Sequence, residues 1–150
     1  MIRWVFALLA VLRAAGQTPA GISLSLPDLG WSLEVGAPGF TVQTRNALPD
    51  DRGLRLLAAG SGMTLSLQLE KRPDLNSAKA CRDRHLQDLQ RLGLPISELK
   101  GTENATWATT EFFIAPVRQK NVLVYGMRDG VCTMAHLSKV EFRQIGRAHV

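Results

Sequence analysis

Cysteine and histidine are scarce in this chain, two and three among 150 residues. That leaves room for one disulfide or one four-ligand metal site. The longest uninterrupted apolar run is Trp4–Leu12, far short of the roughly 20 residues that a bilayer-spanning helix needs. No phosphate loop, dinucleotide fingerprint or Gly-x-Ser-x-Gly elbow is present, and neither is a repeat or a low-complexity linker. No cofactor is therefore implied. The length fits one domain with one core.

Charge is also in short supply once the ends are set aside. The formal balance is +5, from 18 basic and 13 acidic residues. Arg3, Arg13 and Arg147 belong to the two terminal segments. Without them 15 basic residues face 13 acidic ones, a balance of +2. Signs also alternate through Lys79, Arg82, Asp83, Arg84, Asp88 and Arg91. That pattern is a solvated helix face, not a phosphate-binding stripe, and it argues against a nucleic-acid partner.

The N-terminus has the organisation of a secretory signal peptide. Met1-Ile2-Arg3 is a short basic segment, Trp4–Leu12 an apolar core, and Ala14-Ala15-Gly16 and Thr18-Pro19-Ala20 are small-residue cleavage sites. Cleavage is expected after Gly16 or Ala20, with Arg13 an unusual residue for such a segment. The competing reading is an amphipathic or buried N-terminal helix, which the lack of polar spacing disfavours. Membrane contact is then expected only in transit, and the protein is expected to be secreted or periplasmic. At the other end, Ile145-Gly146-Arg147-Ala148-His149-Val150 resembles a translated sequencing adapter. It is set aside as non-native, the alternative being a natural basic tail. The expected organisation is a signal peptide over 1–20, one domain over 21–144 and a foreign tail over 145–150.

Within that domain, short alternating runs dominate. Ile22, Leu24 and Leu26 alternate with serines, as do Trp31, Leu33 and Val35 with Ser32 and Glu34. Phe40 and Val42 follow the turn-rich Gly36–Gly39. Leu54–Ala58 leads across Gly60-Ser61-Gly62 into the cleanest strand, with Met63, Leu65, Leu67 and Leu69 on one side and Thr64, Ser66, Gln68 and Glu70 on the other. The period then changes. Ala78, Cys81, His85, Leu89 and Leu92 recur at helical spacing over 76–92, with Asn76 as N-cap, Gly93 at C′ and Pro95 beyond. Strand signals return through Trp107–Ile114, Val122–Met127 and Val131–Val140. Strands joined by short turns around one helix predict an α+β fold: a mostly antiparallel sheet with the helix covering part of one face.

This order of elements resembles the PsbP/Mog1-like α/β sandwich, and Asp129–Lys139 is similar to a stretch in secreted bacterial proteins of acidobacterial type. The resemblance covers residues 22–144 and carries no assigned chemistry. It implies an antiparallel sheet bearing helices, usually one near the C-terminus. That C-terminal element is expected to be missing here, leaving part of the sheet uncovered.

Cys81 and Cys132 have two readings. In an exported chain an even count favours a disulfide, here tying the helix to the last strand and stabilising the fold by roughly 3–4 kcal/mol. Two separate buried thiols are the alternative. A zinc site with His85 and His136 is a third idea, since each cysteine precedes a histidine by four residues. Positions i and i+4 are neighbours on a helix but roughly 13 Å apart on a strand. Cys132 and His136 therefore cannot both reach one ion bound at about 2 Å, and no metal is expected.

Other chemistry is sparse. His136 and Ser138 share one face of a strand, which makes a small secreted hydrolase the rival function, with His136 as base to Ser138 or paired with an acid. Asp50-Asp51, after Pro49 and before Gly53, reads as a turn. Trp31, Trp107 and Tyr125 are candidates for a ligand pocket, although strand alternation favours packing. Asn104-Ala105-Thr106 fits a glycosylation sequon. The leading expectation is a non-catalytic secreted or periplasmic module that binds a protein or small ligand, with His85, His136 and Ser138 as its candidate polar residues.

Overall fold

The structure, a computed structural model, describes residues 21–141, so the expected signal peptide and the suspect tail lie outside it. The order is β1 (Gly21–Ser25), β2 (Ser32–Gly36), β3 (Thr41–Ala47), β4 (Gly53–Gly60), β5 (Met63–Lys71), α1 (Ala78–Arg91), β6 (Ile96–Lys100), β7 (Ala108–Ile114), β8 (Gln119–Arg128) and β9 (Val131–Val140). β1 and β2 form a separate ribbon, and the other seven strands form one sheet in the order β3-β4-β5-β9-β8-β7-β6. Every pairing is antiparallel. The expected α+β fold with one main helix is the fold observed.

Turn chemistry explains the two tightest hairpins. Ser61 and Gly62 join β4 to β5 with φ of 53° and 72°, and Asp129 and Gly130 join β8 to β9 with φ of 51° and 71°. Both loops have two residues with positive φ, the geometry whose twist matches the strands it connects. Asp50 and Asp51, also at positive φ, sit in a single turn of 3-10 helix between β3 and β4. They form a turn, as the sequence implied.

The helix starts one residue later than the spacing suggests. Ser77, not Asn76, is the N-cap, and its hydroxyl accepts a hydrogen bond from the Ala80 N–H at 3.0 Å. A serine oxygen in extended backbone reaches the third helical N–H, satisfying a donor otherwise orphaned at the helix start. Gly93 closes the other end at φ 71°, donating to the Gln90 carbonyl.

The two faces of the sheet are covered by different elements. On one, the β1–β2 ribbon places Ile22, Leu24, Leu33 and Val35 over Leu56, Leu65, Leu67, Leu69 and Ala135 of β4, β5 and β9. Several of these are wholly buried, each stabilising the fold by roughly 1.5–3 kcal/mol relative to exposure. Trp31 seals one end: its indole N–H donates to Asp129 at 2.9 Å, and Arg128 lies 5.5 Å over the ring. On the other face, α1 lays Ala78 and Cys81 against Ala108, Phe112, Leu123, Tyr125, Cys132 and Met134. Cys81 and Cys132 are bonded as a disulfide with Cα atoms 5.9 Å apart.

Neither cover is wide enough. Seven strands at roughly 4.8 Å spacing span about three times the diameter of one helix. α1 contacts β7 and β8, while the ribbon contacts β4 and β5. The helix face is therefore bare over β4 and β5, and the ribbon face is bare over β7 and β8. On the latter, Thr109, Glu111, Phe113, Val122 and Val124 are only half-buried.

Candidate functional site

The bare half of the helix face is a groove of about 430 Å³ with α1 as one wall. Strand register sets out the rungs beneath it two residues apart, and most of their residues line the floor. One rung is Arg55–Gln68–Met134–Tyr125, the next Leu57–Ser66–His136–Leu123, and the third Thr64–Ser138–Asn121–Phe112. Ile114 opposite Gln119 ends the groove. His85 and Leu89 from α1 and Leu94 from the loop after it form the wall. The structure thus brings His85, His136 and Ser138 into the lining of one cleft, from a helix and from β9.

The two imidazoles have fixed and different partners. The Asn121 amide N–H donates to the Gln119 carbonyl at 3.3 Å, which turns its side-chain oxygen toward His136. That oxygen can only accept, so His136 Nε2 carries the proton and donates it at 2.8 Å. His136 Nδ1 is then a bare acceptor. Burial is the main influence that pushes the His136 pKa down to about 4, with His85 and Arg55 adding like charge. The ring is neutral near pH 7.

His85 Nδ1 lies 2.5 Å from the Tyr125 hydroxyl, with the two rings tilted at 57°. Burial raises the Tyr125 pKa well above its ordinary value, so the phenol keeps its proton, and because His85 Nδ1 is the hydroxyl's one hydrogen-bond partner among the described residues, the hydroxyl donates to it. Burial also lowers the His85 pKa, partly offset by Asp88. His85 is accordingly neutral, with its remaining proton on Nε2.

This arrangement holds polar groups in place but does not assemble a catalytic relay. His136 bonds to Asn121 and not to Ser138, and the group oriented against each imidazole is an amide or a phenol rather than a carboxylate. The Ser-His-acid arrangement uses a carboxylate to orient its base and favour the charged ring, and the variant that orients its histidine with an asparagine uses a cysteine nucleophile, whereas both cysteines here are bonded to each other. Both cysteine sulfurs are used in the disulfide, so neither is a thiolate ligand. Among the described residues no three His, Cys, Asp or Glu side chains cluster to hold a metal ion.

Arg55 is the charged member of the groove lining. Its Nε and Nη2 donate to the Gln68 oxygen at 3.1 and 2.8 Å, and the Gln68 amide donates in turn to Glu70 at 3.2 Å. Gln68 therefore stands between the guanidinium and the nearest carboxylate. Past it, Arg72 is committed to Asp74 through two bonds of 3.0 and 2.7 Å, which hold the Asp74 carboxyl down to about 2.

The aromatic candidates separate. Tyr125 lies under α1 beside the groove, Trp31 belongs to the core beneath the ribbon, and Trp107 packs against Gly126, where an added Cβ would lie 3.1 Å from its ring. In the sequon, the Asn104 side-chain oxygen accepts from the backbone N–H groups of Thr106 and Trp107, both at 2.8 Å. Sequence reading missed Asn121, Arg55, Ser66 and Thr64. Asn121 left a signal: continuing the alternation of Leu123 and Tyr125 back by two places a polar residue on a buried face.

The class defined here is an α+β domain with an antiparallel seven-stranded sheet, one disulfide-anchored helix and a cleft beside it. The chain matches no family model, no curated protein and no solved structure in the three comparisons made. Among the described residues no helix is long and apolar enough to cross a membrane.

Proposed function

We propose that this protein is an exported, non-catalytic module that binds a ligand in the groove beside α1. One observation carries the reading: His85 and His136, the residues most suited to proton transfer, are kept neutral chiefly by burial, are oriented by Tyr125 and Asn121, and have no carboxylate bonded to them. They act as oriented donor and acceptor, alongside Ser66, Ser138 and Thr64 on the floor. The groove volume lies within the usual range for small-ligand sites. The Cys81–Cys132 bond agrees with the export signal expected in 1–20, since disulfides persist in oxidising compartments. The resemblance to PsbP/Mog1-like sandwiches agrees with a binding or accessory role, though fold alone assigns no chemistry.

The test pairs activity with mapping. Hydrolysis of a p-nitrophenyl ester is expected to proceed equally with wild type and His136→Ala. In a fragment screen by amide NMR, shifts are expected at Ser66, His136 and Ser138. A hydrolysis rate that falls with both His136→Ala and Ser138→Ala would establish the hydrolase instead. Shifts confined to other surfaces would remove the groove from consideration.

A further inference from the structure

We infer that the groove takes an amphipathic anion: a carboxylate-headed molecule with an unbranched apolar chain. This rests on the binding reading above and adds the ligand class. The lining is polarised diagonally across the sheet, from the β4 side to the β7 side. Arg55 stands at the β4 end of the first rung, while His85 is bonded to Tyr125 at the β8 end of the same rung. Phe112 stands on the third rung, and Ile114 and Leu94 lie at that same end. Arg55 is on β4 and Phe112 on β7, four residues apart along the strands and four strands across, so the charged and apolar corners lie roughly 23 Å apart between Cα positions. No carboxylate lines this groove, and its one formal charge is positive.

Arg55 is suited to the head group. Its hydrogen bonds run to a neutral amide, and among the described residues it forms no ion pair, unlike Arg72, Arg82 and Lys79. Gln68 anchors Nε and Nη2 on a shared oxygen, which fixes the guanidinium plane over β5 and leaves Nη1 to donate. Planar guanidinium donors match carboxylate oxygens, and a charge-assisted bond is about twice as strong as a neutral one. The other end offers the reverse chemistry. Leu94 is 38% exposed, Leu89 and Ile114 are half-buried, and together they present apolar surface that a hydrocarbon chain would cover.

A cation is opposed by Arg55, and a neutral amphiphile gains the tail contacts without the head contact. Decanoate, decanol and decyltrimethylammonium, each below its micelle concentration, separate these cases when titrated into the full disulfide-bonded protein and followed by amide NMR. Decanoate is expected to bind most tightly and the cation least, with shifts at Ser66, His136 and Ser138. Arg55→Gln is expected to weaken decanoate about fivefold, the upper range for an exposed charge pair, and to leave decanol unchanged. Leu94→Ser is expected to weaken both. Both positions are exposed, and an unaltered melting temperature checks the fold of each variant. Equal binding of the cation, or decanoate affinity indifferent to Arg55→Gln, would overturn the anion assignment, and shifts at the groove with decanol would then still support the binding reading. Shifts from all three probes confined to surfaces outside the groove would overturn both.

Discussion

Removing the Cys81–Cys132 bond is the perturbation whose size is most directly calculable. The bridge closes a loop of 51 residues. In the chain-entropy model, a loop of that length lost from the unfolded ensemble is worth about 4 kcal/mol at 25 °C. A domain of this size is stable by roughly 5–15 kcal/mol, so the loss is a large share of the total. The structure also says where it falls. α1 buries only Ala78 and Cys81 fully, and its other attachments are Arg82 to the Thr102 carbonyl and Glu103, and His85 to Tyr125. Without the bridge, the helix is held to the sheet by these bonds, the Arg82 bond to the Thr109 carbonyl and the packing of Ala78 and Leu89. The assay is urea unfolding of wild type, of wild type reduced with a thiol, and of Cys81→Ala/Cys132→Ala. At a typical urea dependence of about 2 kcal/mol per molar, the midpoint should fall by roughly 2 M. Reduced wild type keeps both side-chain volumes and separates the bridge from packing. Amide exchange should rise more in α1 than in β5 or β9. A loss below about 1 kcal/mol in the reduced protein, or uniform deprotection of sheet and helix, would refute the reasoning.

Two further outcomes follow from single residues. His136 has a folded pKa lowered to about 4 against 6.5 unfolded. The unfolded chain therefore takes up this proton first, so stability is full above about pH 6.5 and declines as pH falls toward 4, by up to roughly 3 kcal/mol. His136→Gln should flatten that part of the curve in urea titrations at stepped pH, and a variant with the wild-type slope would refute the assignment. Gly53→Ala places a Cβ 1.7 Å from the Leu69 carbonyl oxygen in the adjacent strand. The strand pair must separate there, costing more than about 2 kcal/mol, which calorimetry would register as a lowered melting temperature. An unchanged melting temperature would contradict that close approach.

The elements that the sequence revealed are those with one buried face. β5 alternates cleanly because Leu65, Leu67 and Leu69 lie under the ribbon while Thr64, Ser66, Gln68 and Glu70 face the groove. α1 was legible from its spacing and from the Gly93 stop. β3 and β6 were not. Every residue of β3 is exposed, and in β6 only Ile96 is partly buried. They are the two edges of the sheet. Edge strands are held by backbone bonds to one neighbour, and such bonds leave no side-chain period to read. In β3, Val42 alone suggested a strand that runs to Ala47.

Composition and period by themselves determined the α+β class, the single helix and the eligibility of two cysteines to pair. Each of these depends on side chains close in sequence or on simple counting. Tertiary structure alone decided that β5 pairs with β9. That pairing sets Ser66 opposite His136 and Thr64 opposite Ser138, across more than sixty positions of chain. It also decided that α1 crosses to β7 and β8 and leaves β4 and β5 bare. The groove is the product of those two choices. A strand register is a long-range match between backbones, and the width left uncovered depends on where the helix lands, so neither is written in any local run of residues.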